Sequence, residues 1–339
     1  MFSLLQALIR EAKGLEFDNS IFSIDDLKKF PIKISHDLLL NYFIERTTYS
    51  KAQILIFLSL VSFKFGERIN LWNRPLVLYK GSYYINYLPT LSPIVLNLMD
   101  HWIELGGYDL DIRGKYLEKY LQKEVEEILL EKKFYGRILQ RSKLYNKEKK
   151  FEELDLVVIL KSIVLLAEIK CIKFPYEARD KHNALNRLKQ GVKQIKRKKD
   201  FIEKCKNEIP ELHSHVENKK FVSIVITNFP MYSGCIIDGI PIVDFYLFES
   251  YFETGKMTDG RIKKHGKPEV LKETFYYKNE DEMNSNLEQF FLQPYPIEEL
   301  KSLYQIINQK ISLEIFDYDL YVTSAQIPEN YNPDSEILL

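Results

Sequence analysis

The clearest hydrophobic pattern in this 339-residue chain lies at 155–170, Asp-Leu-Val-Val-Ile-Leu-Lys-Ser-Ile-Val-Leu-Leu-Ala-Glu-Ile-Lys. Two apolar runs, each long enough for a buried strand, meet at Lys161 and Ser162. A third run of the same kind, Phe-Val-Ser-Ile-Val-Ile-Thr, covers 221–227. Upstream, apolar residues recur at helical spacing through Tyr116, Leu117, Tyr120, Leu121, Val125, Ile128 and Leu129, opposite a charged face. That pattern predicts an amphipathic helix beginning at Arg113. A strand is predicted around 137–145 and a long helix over 178–205. The predicted order is therefore helix, three strands, helix, strand.

Before this region the signals alternate. Ser35 can cap a helix running through Asp37, Leu38, Leu39, Leu40, Tyr42 and Phe43, and a second helix is predicted over 51–65. Residues 75–79 and 82–87 flank Lys80-Gly81 and predict a hairpin. Pro93 suits the first turn of a helix reaching about Leu105, and Gly106-Gly107 breaks the pattern. These signals predict a mostly helical N-terminal domain at 1–110, with one hairpin, and a second domain at 111–339. Toward the C-terminus, Asp238-Gly239 signals a turn, 242–252 a helix or strand, and 260–267 an exposed basic loop. Residues 280–309 read as largely helical, 311–322 as a strand, and the last dozen as loose.

Composition changes this picture little. Hydrophobic residues make up 45% and charged residues 28%, ordinary for a soluble globular chain. The 48 basic and 48 acidic side chains cancel, so any nucleic-acid surface must be local. Cys171, Cys205 and Cys235 show no CxxC spacing and read as reduced thiols. No run reaches the ~18 apolar residues of a membrane helix. Residues 1–10 lack a basic start and a cleavage site, so no signal peptide is expected. The expected location is the cytoplasm, with no membrane partner.

The chemistry lies in the charges attached to the apolar runs. Glu-x-Lys occurs six times, beginning at Glu11, Glu131, Glu148, Glu168, Glu217 and Glu299. Only Glu168 follows an apolar strand that is itself preceded by another, opened by Asp155. Alternate strand residues share a face, so Glu168 and Lys170 point the same way, where a charge needs a partner or an ion. Two readings follow: a metal-assisted hydrolytic site, or a buried structural ion pair. The predicted helix adds Arg187-Leu-Lys-Gln-Gly-Val-Lys-Gln-Ile-Lys-Arg-Lys-Lys199, seven basic residues and no acid. By itself this is a solvated face; beside a metal site it becomes a phosphate-tracking surface. His213-x-His215 lacks a third metal ligand, and Gly255-Lys256 lacks the rest of a phosphate-binding loop.

Taken in order, these motifs resemble the PD-(D/E)xK nuclease superfamily over 113–227. Asp155 matches the first acid, although Leu154 stands where that pattern has proline, and Glu168, Ile169 and Lys170 match Glu-x-Lys. Arg113-Gly-Lys-Tyr-Leu-Glu118 resembles the RGxxxE helix that precedes the core in many members. Gln190 and Gln194 lie one turn apart, and Gln194 is the better match to a helix glutamine facing the site. The resemblance implies an α/β, restriction-endonuclease-like core, a central mixed sheet flanked by helices. It implies Mg²⁺, replaceable by Mn²⁺, on Asp155, Glu168 and the Ile169 carbonyl, with Glu118 as a further acid. Lys170 would orient the attacking water, and DNA would be cut to leave 5′-phosphates. Arg187, Lys189, Gln190, Lys193, Lys196 and Arg197 would follow the DNA backbone. The alternatives are a nuclease acting on RNA and an inert nucleic-acid-binding or interaction module on the same fold. The 1–110 region is open to target recognition, regulation, or assembly as a homo-oligomer or with a partner protein.

Overall fold

The computed structural model describes residues 31–66, 71–108, 110–139, 143–212, 215–262, 268–313 and 318–326. The chain divides into two compact units: Met1–Asp109 with Lys173–Tyr176, and Leu110–Ile172 with Glu177–Leu339. The first holds β1 (Pro31–Ser35), α1 (His36–Arg46), α2 (Lys51–Val61), β2 (Ser62–Phe63), β3 (Leu76–Tyr79), β4 (Ser82–Asn86), α3 (Tyr87–Leu91) and α4 (Val95–Leu105). Its strands form a sheet in the order β1-β4-β3-β2.

Local chemistry accounts for these boundaries. The Ser35 hydroxyl accepts from the Leu38 amide at 3.2 Å, and Ser50 and Gln53 make a reciprocal capping box at the start of α2. Lys80 (φ 47°) and Gly81 (φ 74°) are both left-handed, as a two-residue hairpin turn requires. Leu39, Phe43, Phe57, Leu76 and Trp102 build the core. Three expectations need correction. The second helix stops at Val61 because Ser62 and Phe63 turn extended and pair with β3. Pro93 precedes α4 and is not in its first turn, since Ile94 is the N-cap. The unit has a four-stranded sheet where the sequence shows one hairpin.

The second unit begins with α5 (Leu110–Glu131), β5 (Gly136–Ile138), β6 (Lys143–Tyr145), β7 (Phe151–Glu153), β8 (Leu156–Leu160) and β9 (Ile163–Lys170). It continues with α6 (Ala178–Cys205), β10 (Lys220–Thr227), β11 (Ile236–Ile237), β12 (Ile240–Asp244) and α7 (Phe245–Glu253). The remainder is β13 (Lys256–Ile262), β14 (Pro268–Phe275), α8 (Glu280–Leu292), α9 (Tyr295–Leu303), β15 (Gln305–Leu313) and β16 (Tyr318–Gln326). Six strands make one mixed sheet, β11-β12-β10-β9-β8-β5. Within it β9, β10 and β12 are parallel, whereas β8 is antiparallel to both β9 and β5. The class is mixed α/β.

Strand alternation sorts the core into two layers. Leu165, Ala167 and Ile169 of β9 pack with Leu121 and Val125 of α5 and Phe248 of α7. Val164 and Leu166 point the other way, onto Leu188, Val192 and Ile195 of α6. Both faces are covered, so β8 and β9 are apolar at every position from Leu156 to Ala167 except the turn, Lys161-Ser162.

Several sequence expectations shift here. The strand expected at 137–145 is two: β5 joins the large sheet, and β6 pairs with β7 in a separate hairpin. The 242–252 segment is strand to Asp244 and then helix, capped by the Asp244 carboxylate on the Tyr246 and Leu247 amides. Gly260, Arg261 and Ile262 of the expected basic loop belong to β13, and 263–267 lie outside the described residues. The helical stretch ends at Leu303, and the expected C-terminal strand is the hairpin β15–β16. The final dozen residues lie outside the described residues. Among those described, no helix is long and apolar enough to cross a membrane. All three cysteines are unpaired.

Candidate active site

The β8–β9 hairpin brings two acids together by register. Leu156 pairs with Ala167, so one further step sets Asp155 opposite Glu168. Alternation places both on the α6 side, with Val157, Ile159, Val164 and Leu166. Glu168 is only 2% exposed. Two like charges facing each other on a buried face repel, and each is costly to bury without a counter-charge.

The counter-charge comes from α6. Lys198, itself 6% exposed, directs its Nζ to Glu168 Oε2 at 2.5 Å and to Asp155 Oδ1 at 3.4 Å. From β9, Lys170 Nζ donates to Glu168 Oε1 at 2.6 Å, confirming that the two side chains share a face. The Ile169 amide donates to Asp155 Oδ2 at 2.8 Å, and Gln122 Nε2 of α5 donates to the Asp155 carbonyl at 2.7 Å. Every side-chain oxygen of both acids is thus engaged.

Electrostatics follows from that crowding. Burial, then Glu168, raises the Asp155 carboxyl above its ordinary range, against the opposing pull of Lys198 and Lys170. Burial also disfavours the Lys198 ammonium, but Asp155 and Glu168 outweigh it and hold its pKa above the usual value. Glu118 of α5 is pushed up to about 7, by burial first and then by Asp155, Glu168 and Glu153. The shift records that Glu118 belongs to the same negative field.

The ends of the flanking helices shape the space beside these charges. Arg113 Nη2 donates to the Ile172 carbonyl at 3.0 Å. Asn228 holds the same residue from both sides, accepting from the Ile172 amide at 2.7 Å and donating to its carbonyl at 3.0 Å. On α6, a Cβ at Gly191 would stand 3.1 Å from Lys170 Cε, so the absence of a side chain lets Lys170 lie against the helix. A cavity of about 260 Å³ opens here, lined by Lys115, Glu118, Ile169, Lys170, Arg187 and Gln190. Gln194, half-buried on the same flank, has an Oε1 that is enclosed and accepts no hydrogen bond from the described residues.

The assigned DNA-tracking group does not stay together. About 100° of rotation per residue separates the faces of a helix. Ala184, Leu188, Gly191, Val192, Ile195 and Lys198 form the buried face of α6. Lys189, Lys193 and Lys196 are exposed on the opposite face, and Arg197 makes a two-pronged pair with Glu152 of β7 at 2.8 Å on each arm. Arg187 and Gln190 alone of that group line the cavity. Lys198 is the residue that the sequence reading misses. Its charge hides in a basic run, although its spacing from Leu188, Gly191 and Ile195 puts it on the buried stripe. His215 Nε2 meets Arg137 Nη1 at 2.5 Å, and His213 lies outside the described residues.

Among the described residues no group of three or more His, Cys, Asp or Glu is placed to hold a metal ion. Two carboxylates do converge on one compact cation, the Lys198 ammonium, which marks the spot where positive charge is wanted. An all-oxygen donor set of this size suits Mg²⁺ or Mn²⁺, which need only one or two carboxylates beside water. Searches against family models, curated proteins and solved structures find no match to this chain.

Proposed function

We propose that residues 111–339 carry a metal-dependent nuclease on a restriction-endonuclease-like core at 113–227, of PD-(D/E)xK type, which hydrolyses DNA phosphodiester bonds. The observation that carries this reading is the register of β8 and β9, which sets Asp155 and Glu168 face to face with Lys170 beside them. The succession of α5, the mixed sheet and α6 around those residues adds support.

When bound, Mg²⁺ or Mn²⁺ supplies charge neutralisation at the phosphate and a more acidic water. Asp155 and Glu168 are the side chains to hold it, with the Ile169 carbonyl. The Ile169 amide fixes the Asp155 carboxylate, so that ligand does not need to be ordered on binding. Lys170 is less buried than Glu168 and lines the cavity, from which its ammonium can orient the attacking water and offset phosphate charge. Arg187 and Lys115 on the same wall offer cationic contacts to a neighbouring phosphate. Gln194 brings a free acceptor to the flank. Glu118 adds a carboxyl group that titrates near neutral pH.

The test is cleavage of supercoiled, linear and single-stranded DNA, beside RNA, with Mg²⁺ and with Asp155→Ala as control. Cutting by the wild type and none by the variant is the expected result. Full activity in Asp155→Ala, or no cutting of any substrate by the wild type, overturns it. Preference for RNA would keep the chemistry and change the substrate.

One observation favours a second reading. Two acids and two lysines balance, so the cluster is neutral as it stands, like a buried structural network. An inert module of this kind gains no thermal stability on titration with Mg²⁺ or Mn²⁺, whereas a cation site does.

A further inference from the structure

Lys198 is not accounted for by the proposed chemistry. It is buried, it comes from a helix and not from the strand motif, and among the described residues it alone touches both acids. Lys170 touches one oxygen of Glu168 and keeps a quarter of its side chain exposed. The ammonium of Lys198 therefore lies between Asp155 and Glu168, where a shared divalent cation would have to bind. Both cannot occupy that place, because two cations at contact distance repel strongly in a buried setting.

A displaced ammonium needs an acceptor, and α6 carries one. Gln194 stands one helical turn before Lys198, close enough for side chains to meet, and its enclosed Oε1 has no donor among the described residues. An unpaired buried acceptor is costly, and a donor arriving there removes the cost. An ammonium released from the acids would meet that acceptor one turn back along the same helix.

We propose that Lys198 is a built-in counter-cation of the Asp155–Glu168 pair, competing with a divalent cation for the two carboxylates and yielding to it by moving to Gln194. The proposal rests on the cation-site reading above. Lys198 is a positioning residue in this scheme: it holds the acids in place while no metal is bound and weakens the affinity for metal. Removing it both frees the carboxylate oxygens and raises their mutual repulsion, and each effect tightens cation binding.

The experiment is calorimetric titration of the full chain with Mn²⁺ at constant pH, for wild type, Lys198→Met, Lys198→Gln and Gln194→Leu. DNA cleavage by the wild type is followed in parallel. Lys198→Met is expected to bind Mn²⁺ at least about tenfold more tightly, the scale of one charge-assisted hydrogen bond. Gln194→Leu is expected to bind more weakly than wild type. If Lys198→Met fails to fold without metal, Lys198→Gln, which keeps a donor without the charge, carries the same expectation. Unchanged or weaker binding in the folded Lys198 variant overturns the proposal, and with cleavage intact it leaves the nuclease reading standing. No Mn²⁺ binding by any of the four proteins overturns both. Binding by the Lys198 variant when the wild type binds none overturns the proposal, because Lys198 then does not yield to the cation, and the nuclease reading falls with it.

Discussion

The two ends of the β8–β9 hairpin both carry an ion pair, and the pairs are nearly equal in length but opposite in meaning. At the turn, Lys161 meets Asp281 at 2.7 Å, with 56% and 76% of the side chains exposed. At the open end, Lys198 meets Glu168 at 2.5 Å, with 8% and 3% exposed. The first pair stays in water, where side-chain entropy and screening cancel most of the attraction. The second has lost its hydration, so each charge depends on the others. Distance alone does not rank such pairs; the surroundings do.

The largest effect expected from breaking this contrast is on catalysis. On the proposed nuclease reading, Asp155→Ala, Glu168→Ala and Lys170→Ala are each expected to reduce Mg²⁺-dependent cleavage at least about 100-fold, measured as initial rate on DNA. Lys161→Ala, at the other end of the same hairpin, leaves the rate unchanged. If it lowers the rate as much as the site variants do, the contrast fails.

Stability gives the next comparison. Lys198→Met leaves Asp155 without its counter-charge and Glu168 with Lys170 alone, and is expected to cost about 3 kcal/mol by urea unfolding in chelator. Lys161→Met is expected to leave the urea midpoint where it was. Equal shifts at the two ends would mean that burial does not distinguish them.

The smallest effect concerns Glu118 in the metal-free protein. Its folded pKa of about 7 lies above its ordinary 4.5. Below about pH 4.5 both folded and unfolded states hold the proton, and no stability is at stake. Between about 4.5 and 7 the unfolded state gives the proton up first, so stability falls as pH rises through that window. Glu118→Gln removes the penalty. Its advantage over wild type should be nil at pH 4 and grow to about 1 kcal/mol at pH 8, allowing for partial exposure. Thermal unfolding at the two pH values in chelator measures it, and an advantage that shrinks with rising pH contradicts the assignment.

Much of this region is legible in the sequence because its determinants are local. The 178–205 helix matches α6, whose buried residues repeat at three- and four-residue steps. The Lys161-Ser162 junction is the β8–β9 turn, since two polar residues interrupt an otherwise apolar stretch. The short β6–β7 hairpin escapes because three-residue strands carry no period to read. Lys198 escapes for a different reason. Lysine at a buried position looks like every other lysine in a basic run until the strand register shows two acids opposite it. The same rotation of the helix sends Lys189, Lys193 and Lys196 away from the site. Along α6, composition predicts a single basic surface, but phase about the helix axis separates its members.

The segment Lys173–Tyr176, which follows the site strand and precedes α6, belongs to the first unit. There the Phe174 amide donates to Asp100 at 2.5 Å and Lys173 Nζ pairs with Glu104 at 2.7 Å. The backbone therefore passes between units at 109/110, 172/173 and 176/177. A single recombination point at residue 110 would exchange most of the first unit and leave this short piece of it behind, between β9 and α6. A chimera that replaces the first unit whole therefore has to replace residues 173–176 as well as 1–109.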